Sequence, residues 1–149
     1  MEFEIYDEAM AKATLEQSNL ITGLPEYLGV RTVDMGPGTM TAELDVRPDL
    51  LNPFGTAHGG VLTALVDHVL GAVMYPIMPR GSWAATTEFK VNLLAPVRDG
   101  VLRARSEVQA MTKSTAVVRI DVTNDGRLAG LAQGTVTIRP PKPKEPAGG

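Results

Sequence analysis

Residues 58–75 read HGGVLTALVDHVLGAVMY, and this stretch decides the fold. Apolar side chains at Val61, Leu62, Ala64, Leu65, Val66, Val69, Leu70, Ala72, Val73 and Met74 recur at helical spacing. Together they cover almost the whole circumference, so the pattern predicts one long helix from His58 to about Tyr75, buried on most sides. Pro76, Pro79 and Gly81 terminate it.

Around this helix the periodicity is mostly that of strands. Thr39–Val46 alternates, with Met40, Ala42, Leu44 and Val46 on one side and Thr41, Glu43 and Asp45 on the other. Tyr27–Met35 before it, joined through Gly36-Pro37-Gly38, completes a hairpin. Residues 48–55 form a loop. After the helix, Ala84–Leu94, Val101–Met111, Ala116–Thr123 and Arg127–Ile138 read as strands. Asn124-Asp125-Gly126 and Asp99-Gly100 read as hairpin turns. Tyr6, Met10 and Ala13 mark a short amphipathic helix over residues 6–18, stopped by Gly23 and Pro25. The order predicts an α+β fold, one central helix against one antiparallel sheet. Successive hairpins need no crossover helices, which argues against a doubly wound sheet.

Composition narrows the chemistry. The chain has 149 residues, 17 acidic and 14 basic, and a formal net charge of −3. A nucleic-acid binder would carry a basic excess, so none is expected. Cysteine is absent and only His58 and His68 supply imidazole, which excludes thiolate chemistry and a three-histidine metal site. The acidic N-terminus lacks a basic region followed by an apolar run, and the longest uncharged run at the helix end, Val69–Pro79, is too short to cross a bilayer. No membrane partner and a cytoplasmic location are expected. The organisation is read as a helical segment at 1–23, one domain at 24–139 and a disordered Pro-rich tail at 140–149.

Two features stand out as chemistry. Gly59 and Gly60 follow His58 at the start of the helix, where unpaired N–H groups and the helix dipole suit an oxyanion. Paired glycines are also common in turns, and the other reading is that Gly59 and Gly60 relieve crowding between loop and sheet. Asp67 lies mid-helix among Leu65, Val66, Val69 and Leu70, where a carboxylate is costly unless it reaches a partner or a polar cavity. It shares a side with Thr63 and Gly71, so a narrow polar strip is the other reading. His58 and Asp67 lie roughly 180° apart and on the order of 13 Å along the axis. One helix cannot bring both to the same atom, so a shared reaction requires two chains in a symmetric dimer. His58 reads as a residue that caps the helix or orients the loop, and His68 as structural or exposed.

The run Asn52-Pro53-x-Gly55-x-x-His58-Gly59-Gly60-Val61, with Asp67 beyond it, resembles the motif of hotdog-fold acyl-CoA thioesterases of the phenylacetate-degradation type. Thr86-Thr87-Glu88 through Asn92 to Pro96 and Gly100, and the closing segment Val122–Ile138, resemble later parts of the same family. The resemblance covers about residues 24–139 and implies an antiparallel sheet wrapped around one long helix. It implies a homodimer, in some members a dimer of dimers, with active sites across the interface. By resemblance Gly59 would donate its N–H to the thioester oxygen, with Asn52 and His58 shaping the loop and positioning carbonyl or water. Asp67 of the opposite subunit would act as general base or nucleophile, and Thr86 or Thr87 would help hold the water. Gly60, Phe54, Trp83, Lys113 and Arg80 are candidate substrate-binding residues. The substrate would be a small-molecule acyl-CoA, with no cofactor beyond the coenzyme A that it carries. Two departures, Ala95 before Pro96 and Ala110-Met111-Thr112-Lys113-Ser114 in the later turn, leave the binding of the coenzyme A phosphates unassigned. Two alternatives remain open: an enoyl-CoA hydratase using Asp49 and His58, and an acyl-CoA-binding module without catalysis.

Overall fold

The alternation at residues 39–46 is realised in a computed structural model, which describes residues 1–17 and 22–141. Strand β2 (Thr39–Asp45) buries Met40, Ala42 and Leu44 completely. The other strands are β1 (Arg31–Gly36), β3 (Trp83–Leu93), β4 (Val101–Met111), β5 (Thr115–Asn124) and β6 (Arg127–Arg139). They form one antiparallel sheet in the order β1-β2-β4-β5-β6-β3. Helix α3 (Gly59–Ala72) packs against β2, β3, β4, β5 and β6, so the sheet wraps around it. Leu65, Val66, Val69 and Leu70 on the helix and Leu102, Val118, Ile120 and Val136 on the strands build the core. The stretch Gly59–Ile77 is long and apolar enough to cross a membrane by composition alone, but its apolar side chains are used against the sheet.

The helix is less enclosed than its apolar coverage predicts. Gly60 and Asp67 are exposed and Ala64 and Gly71 half-buried. At spacings of four, three and four they form one stripe along the face turned from the sheet. The helix also ends sooner, at Ala72, followed by a 3-10 turn at Tyr75–Ile77.

Three further elements differ from the sequence reading. The expected strand at residues 27–35 begins only at Arg31, and its first two residues, Tyr27 and Leu28, are the end of helix α2 (Leu24–Leu28). Pro25 sits in its first turn, where a missing N–H costs nothing, and Gly29 closes it at φ 72°. Gly23 and Pro25, which read as breakers, are the N-cap and the first turn of this helix. The early helix α1 spans Glu8–Gln17, its Met10 N–H donating to Asp7 Oδ1 at 3.0 Å, and Ser18 lies outside the described residues. From residue 142 the expected disordered tail also lies outside them. Asp99-Gly100 is not a hairpin, because β3 and β4 are not neighbours. The chain returns there from the sheet edge to its middle. Asn124-Asp125-Gly126 is a hairpin, with Asp125 at φ 48° and Gly126 at φ 83° as a type I′ turn requires.

The two edges are treated differently. β1 is flanked by α1, whereas the outer side of β3 pairs with nothing among the described residues. Trp83 and Leu93, at its ends, are 52% and 58% exposed. An unpaired edge strand of 11 residues is a ready surface for a second chain.

β6 lets the helix approach closely. A Cβ at Gly134 would lie 2.7 Å from Leu70 Cδ2, 2.6 Å from Phe89 Cβ and 2.8 Å from the Glu88 carbonyl oxygen. Backbone and a strand Cβ cannot step aside as a side-chain tip can. Gly134→Ala is therefore expected to cost about 1–3 kcal/mol. The check is a lower urea midpoint at unchanged slope; an unshifted midpoint contradicts this packing.

Candidate active site

The loop before α3 is fixed by one side chain. Asn52 Oδ1 accepts the N–H groups of Phe54 (2.9 Å) and Thr56 (3.3 Å), and Asn52 Nδ2 donates to Thr56 Oγ1 (2.9 Å). Two backbone bonds then stitch the helix start to its surroundings: Ala57 N–H to Val97 O (2.6 Å) and His58 N–H to Leu50 O (2.9 Å). Asn52 is thus a loop-shaping residue in this chain, and it lines a cleft of about 270 Å³ with Gly59, Leu62, Leu94 and Pro96.

The two glycines differ in what remains free. Gly60 N–H donates to His58 Nδ1 at 2.9 Å, so the imidazole is the helix cap. That use of Nδ1 leaves the proton of a neutral ring on Nε2. Gly59 N–H has no acceptor among the described residues. It opens onto the cleft at the positive end of the helix dipole. A side chain there would crowd the space, since a Cβ would lie 2.9 Å from Leu93 Cδ1.

Asp67 stands about 12 Å further along the axis. Thr86 Oγ1 donates to Asp67 Oδ1 at 2.8 Å. The sequence left Thr86 and Thr87 equivalent, and a bulge separates them. Thr86 pairs with Val136 and shares its face, while the register shifts between Thr86 and Glu88. Thr87 instead bonds its hydroxyl to Thr137 Oγ1 at 2.6 Å. Of the two sequence readings of Asp67, the polar strip is the one found in the single chain, where it is exposed on the uncovered stripe of α3. Beside it, Leu24, Pro25, Leu28, Val30, Ala64 and His68 shape a second cleft of about 280 Å³. His68 is half-buried there, and burial holds its pKa below the usual imidazole value against the opposing effect of Asp67.

The other candidates are scattered. Phe54 is 86% exposed at the loop tip, near Gly59. Trp83 pairs with Arg139 at the opposite end of β3 from Leu93. Arg80 Nε binds Asp7 Oδ2 at 2.6 Å and holds that carboxyl below its ordinary range, tying the N-terminal segment down. Lys113 borders a cavity with Ile77 and Ile138, at the end of α3 away from Gly59. Asp49, which the hydratase reading needs, is ion-paired with Arg47 at 2.9 Å. One cation escaped the sequence reading: Arg98 Nη1 donates to Gly55 O at 3.4 Å, on the loop that Asn52 holds. Its place behind Pro96-Val97 is a signal only once Val97 is known to bond Ala57.

The comparisons agree with this fold. The family model of the thioesterase superfamily matches residues 54–130. The chain is 27% identical over 118 residues to the 1,4-dihydroxy-2-naphthoyl-CoA hydrolase of Listeria monocytogenes, covering 78% of this chain and 96% of that protein. A solved thioesterase from Haemophilus influenzae superposes with a TM-score of 0.80 at 25% identity, covering 85% of this chain and 90% of the other. In fold it also matches the PaaI protein of the Escherichia coli phenylacetic acid degradation operon (TM-score 0.81, 21% identity, 89% and 96% covered). A matched family segment that holds His58, Gly59, Asp67 and Thr86, on a sheet wrapped around one helix, places the chain in the thioesterase superfamily, as a thioester hydrolase of the hotdog fold.

Proposed function

We propose that the protein is a homodimeric acyl-CoA thioesterase whose two sites each combine Gly59 of one subunit with the partner subunit's Asp67. The observation that carries this reading is the isolated pair Asp67–Thr86, set about 12 Å along α3 from the free N–H of Gly59. Both halves of a hydrolytic site are present, but on one helix they are too far apart to act on one carbonyl. A two-fold dimer joining the open edges of β3 and the uncovered stripes of α3 would bring them together.

The chemistry follows from the free atoms. The thioester oxygen takes the N–H of Gly59, and negative charge develops where that donor and the helix dipole meet it. Asp67 Oδ1 is held by Thr86, leaving Oδ2 to take a proton from water. Thr86 Oγ1 donates to Asp67 and still has lone pairs to accept the second water hydrogen. This favours water activation over direct attack by the carboxylate. The water oxygen adds to the carbonyl carbon, the C–S bond breaks, and the thiolate leaves with the proton returned from Asp67. The products are the acid and free coenzyme A. His58 and Asn52 act by holding Gly59 in place.

The Listeria relative is named for an aromatic acyl-CoA, so aromatic thioesters are the first to assay beside aliphatic ones. Thiol release from such a panel, with no hydration of enoyl-CoA, is the expected result. Hydration without thiol release would favour Asp49 and His58 instead.

A further inference from the structure

Coenzyme A carries a diphosphate and a 3′-phosphate well outside the reacting bond, and the exposed cations of this chain are mostly committed elsewhere. Arg31, Arg47, Arg80, Arg103, Arg105 and Arg119 are all in ion pairs. Arg98 and Arg127 pair with no carboxylate among the described residues and are exposed. Both stand at the helix end that presents Gly59. Arg98 reaches Gly55 O from the Val97 segment, whose carbonyl accepts Ala57 N–H. Arg127 opens β6, where the Ala129 carbonyl accepts the N–H groups of Leu94 (2.9 Å) and Ala95 (3.3 Å). Leu94 and Ala95 are a wall of the cleft into which Gly59 opens. Among the described residues the remaining unpaired cations lie elsewhere: Lys90 on the sheet face away from α3, Lys113 and Arg139 toward the other end of the helix.

From this placement we infer that Arg98, assisted by Arg127, binds the phosphates of the coenzyme A moiety. This rests on the acyl-CoA reading above. A guanidinium matches phosphate oxygens with paired donors, and its only present bond is a long one to a carbonyl.

The test compares one acyl group on coenzyme A and on N-acetylcysteamine, which has the thioester but no phosphate. Arg98→Ala is expected to raise KM for the coenzyme A ester about tenfold, and Arg98→Ala with Arg127→Ala further. Turnover of the N-acetylcysteamine ester should be unchanged, and added salt should raise the wild-type KM more than the variant's. Equal losses on both esters would mean that Arg98 only braces the loop and would overturn the assignment. So would an unchanged KM, or a KM rise with Lys113→Ala in place of Arg98→Ala. Wild-type hydrolysis of the N-acetylcysteamine ester alone would overturn the acyl-CoA reading itself, and this assignment with it.

Discussion

Asp67→Asn is expected to lower kcat for thioester hydrolysis by about three orders of magnitude, with KM changed by no more than about twofold. The substitution keeps shape and removes only the ability to take a proton. Thr86 Oγ1, which donates to Asp67 Oδ1 at 2.8 Å, can still donate to an amide oxygen in that position. Because Asp67 is exposed on the stripe of α3 away from the sheet, the core does not register the change. Loss of kcat at constant KM separates a group that acts in the transition state from one that merely holds substrate. Steady-state thiol release measures both constants. Activity close to wild type would remove Asp67 from the chemistry and reopen the case for Asp49 and His58.

Gly59→Pro is expected to reduce kcat about 100- to 1,000-fold by deleting one N–H. Proline is tolerated at the first helical position, where the N–H has no intrahelical partner. His58, at φ −61° and ψ 135°, already has the extended conformation that a residue before proline prefers. The cap from Gly60 N–H to His58 Nδ1 is untouched. A new Cβ would meet only Leu93 Cδ1, the tip of a side chain 58% exposed and free to swing. Gly59→Ala is the matched control, since it adds the same Cβ and keeps the donor. A large loss for proline against a small one for alanine, at similar melting temperatures, assigns the effect to the N–H position, where proline removes the donor and puts its Cδ in the hydrogen's place. Equal losses would assign it to crowding at Leu93.

Periodicity made much of this legible. The apolar run from Val61 to Met74 and the alternation in β2 and β4–β6 are local patterns, and a single sequence displays them. Asp67 stood out for the same reason, as a carboxylate inside an apolar period. The separation of His58 from Asp67 followed from helix geometry alone. What stayed hidden depends on contacts between distant residues. Pro25 and Gly29 break a pattern or bound a helix according to what packs beside them, and here they bound α2. The place of β3 at the edge, beside β6, cannot be read from the turn that follows it. Thr86 and Thr87 differ in hydrogen-bond partner only through the bulge between them. Lys113 and Arg80 drew attention by charge, but Arg80 is spent on Asp7 while Arg98, unremarkable in sequence, stands beside the Asn52 loop.

The division of the site between two chains is tested most directly by a mixed dimer of Asp67→Asn and Gly59→Pro chains, purified through different tags. If the proposed dimer holds, each parent homodimer would be nearly inactive, while the mixed dimer would hold one site with an intact Gly59 facing an intact Asp67. Its expected thiol release is about half that of the wild-type dimer. A mixed dimer no more active than its parents would contradict a site shared across the interface.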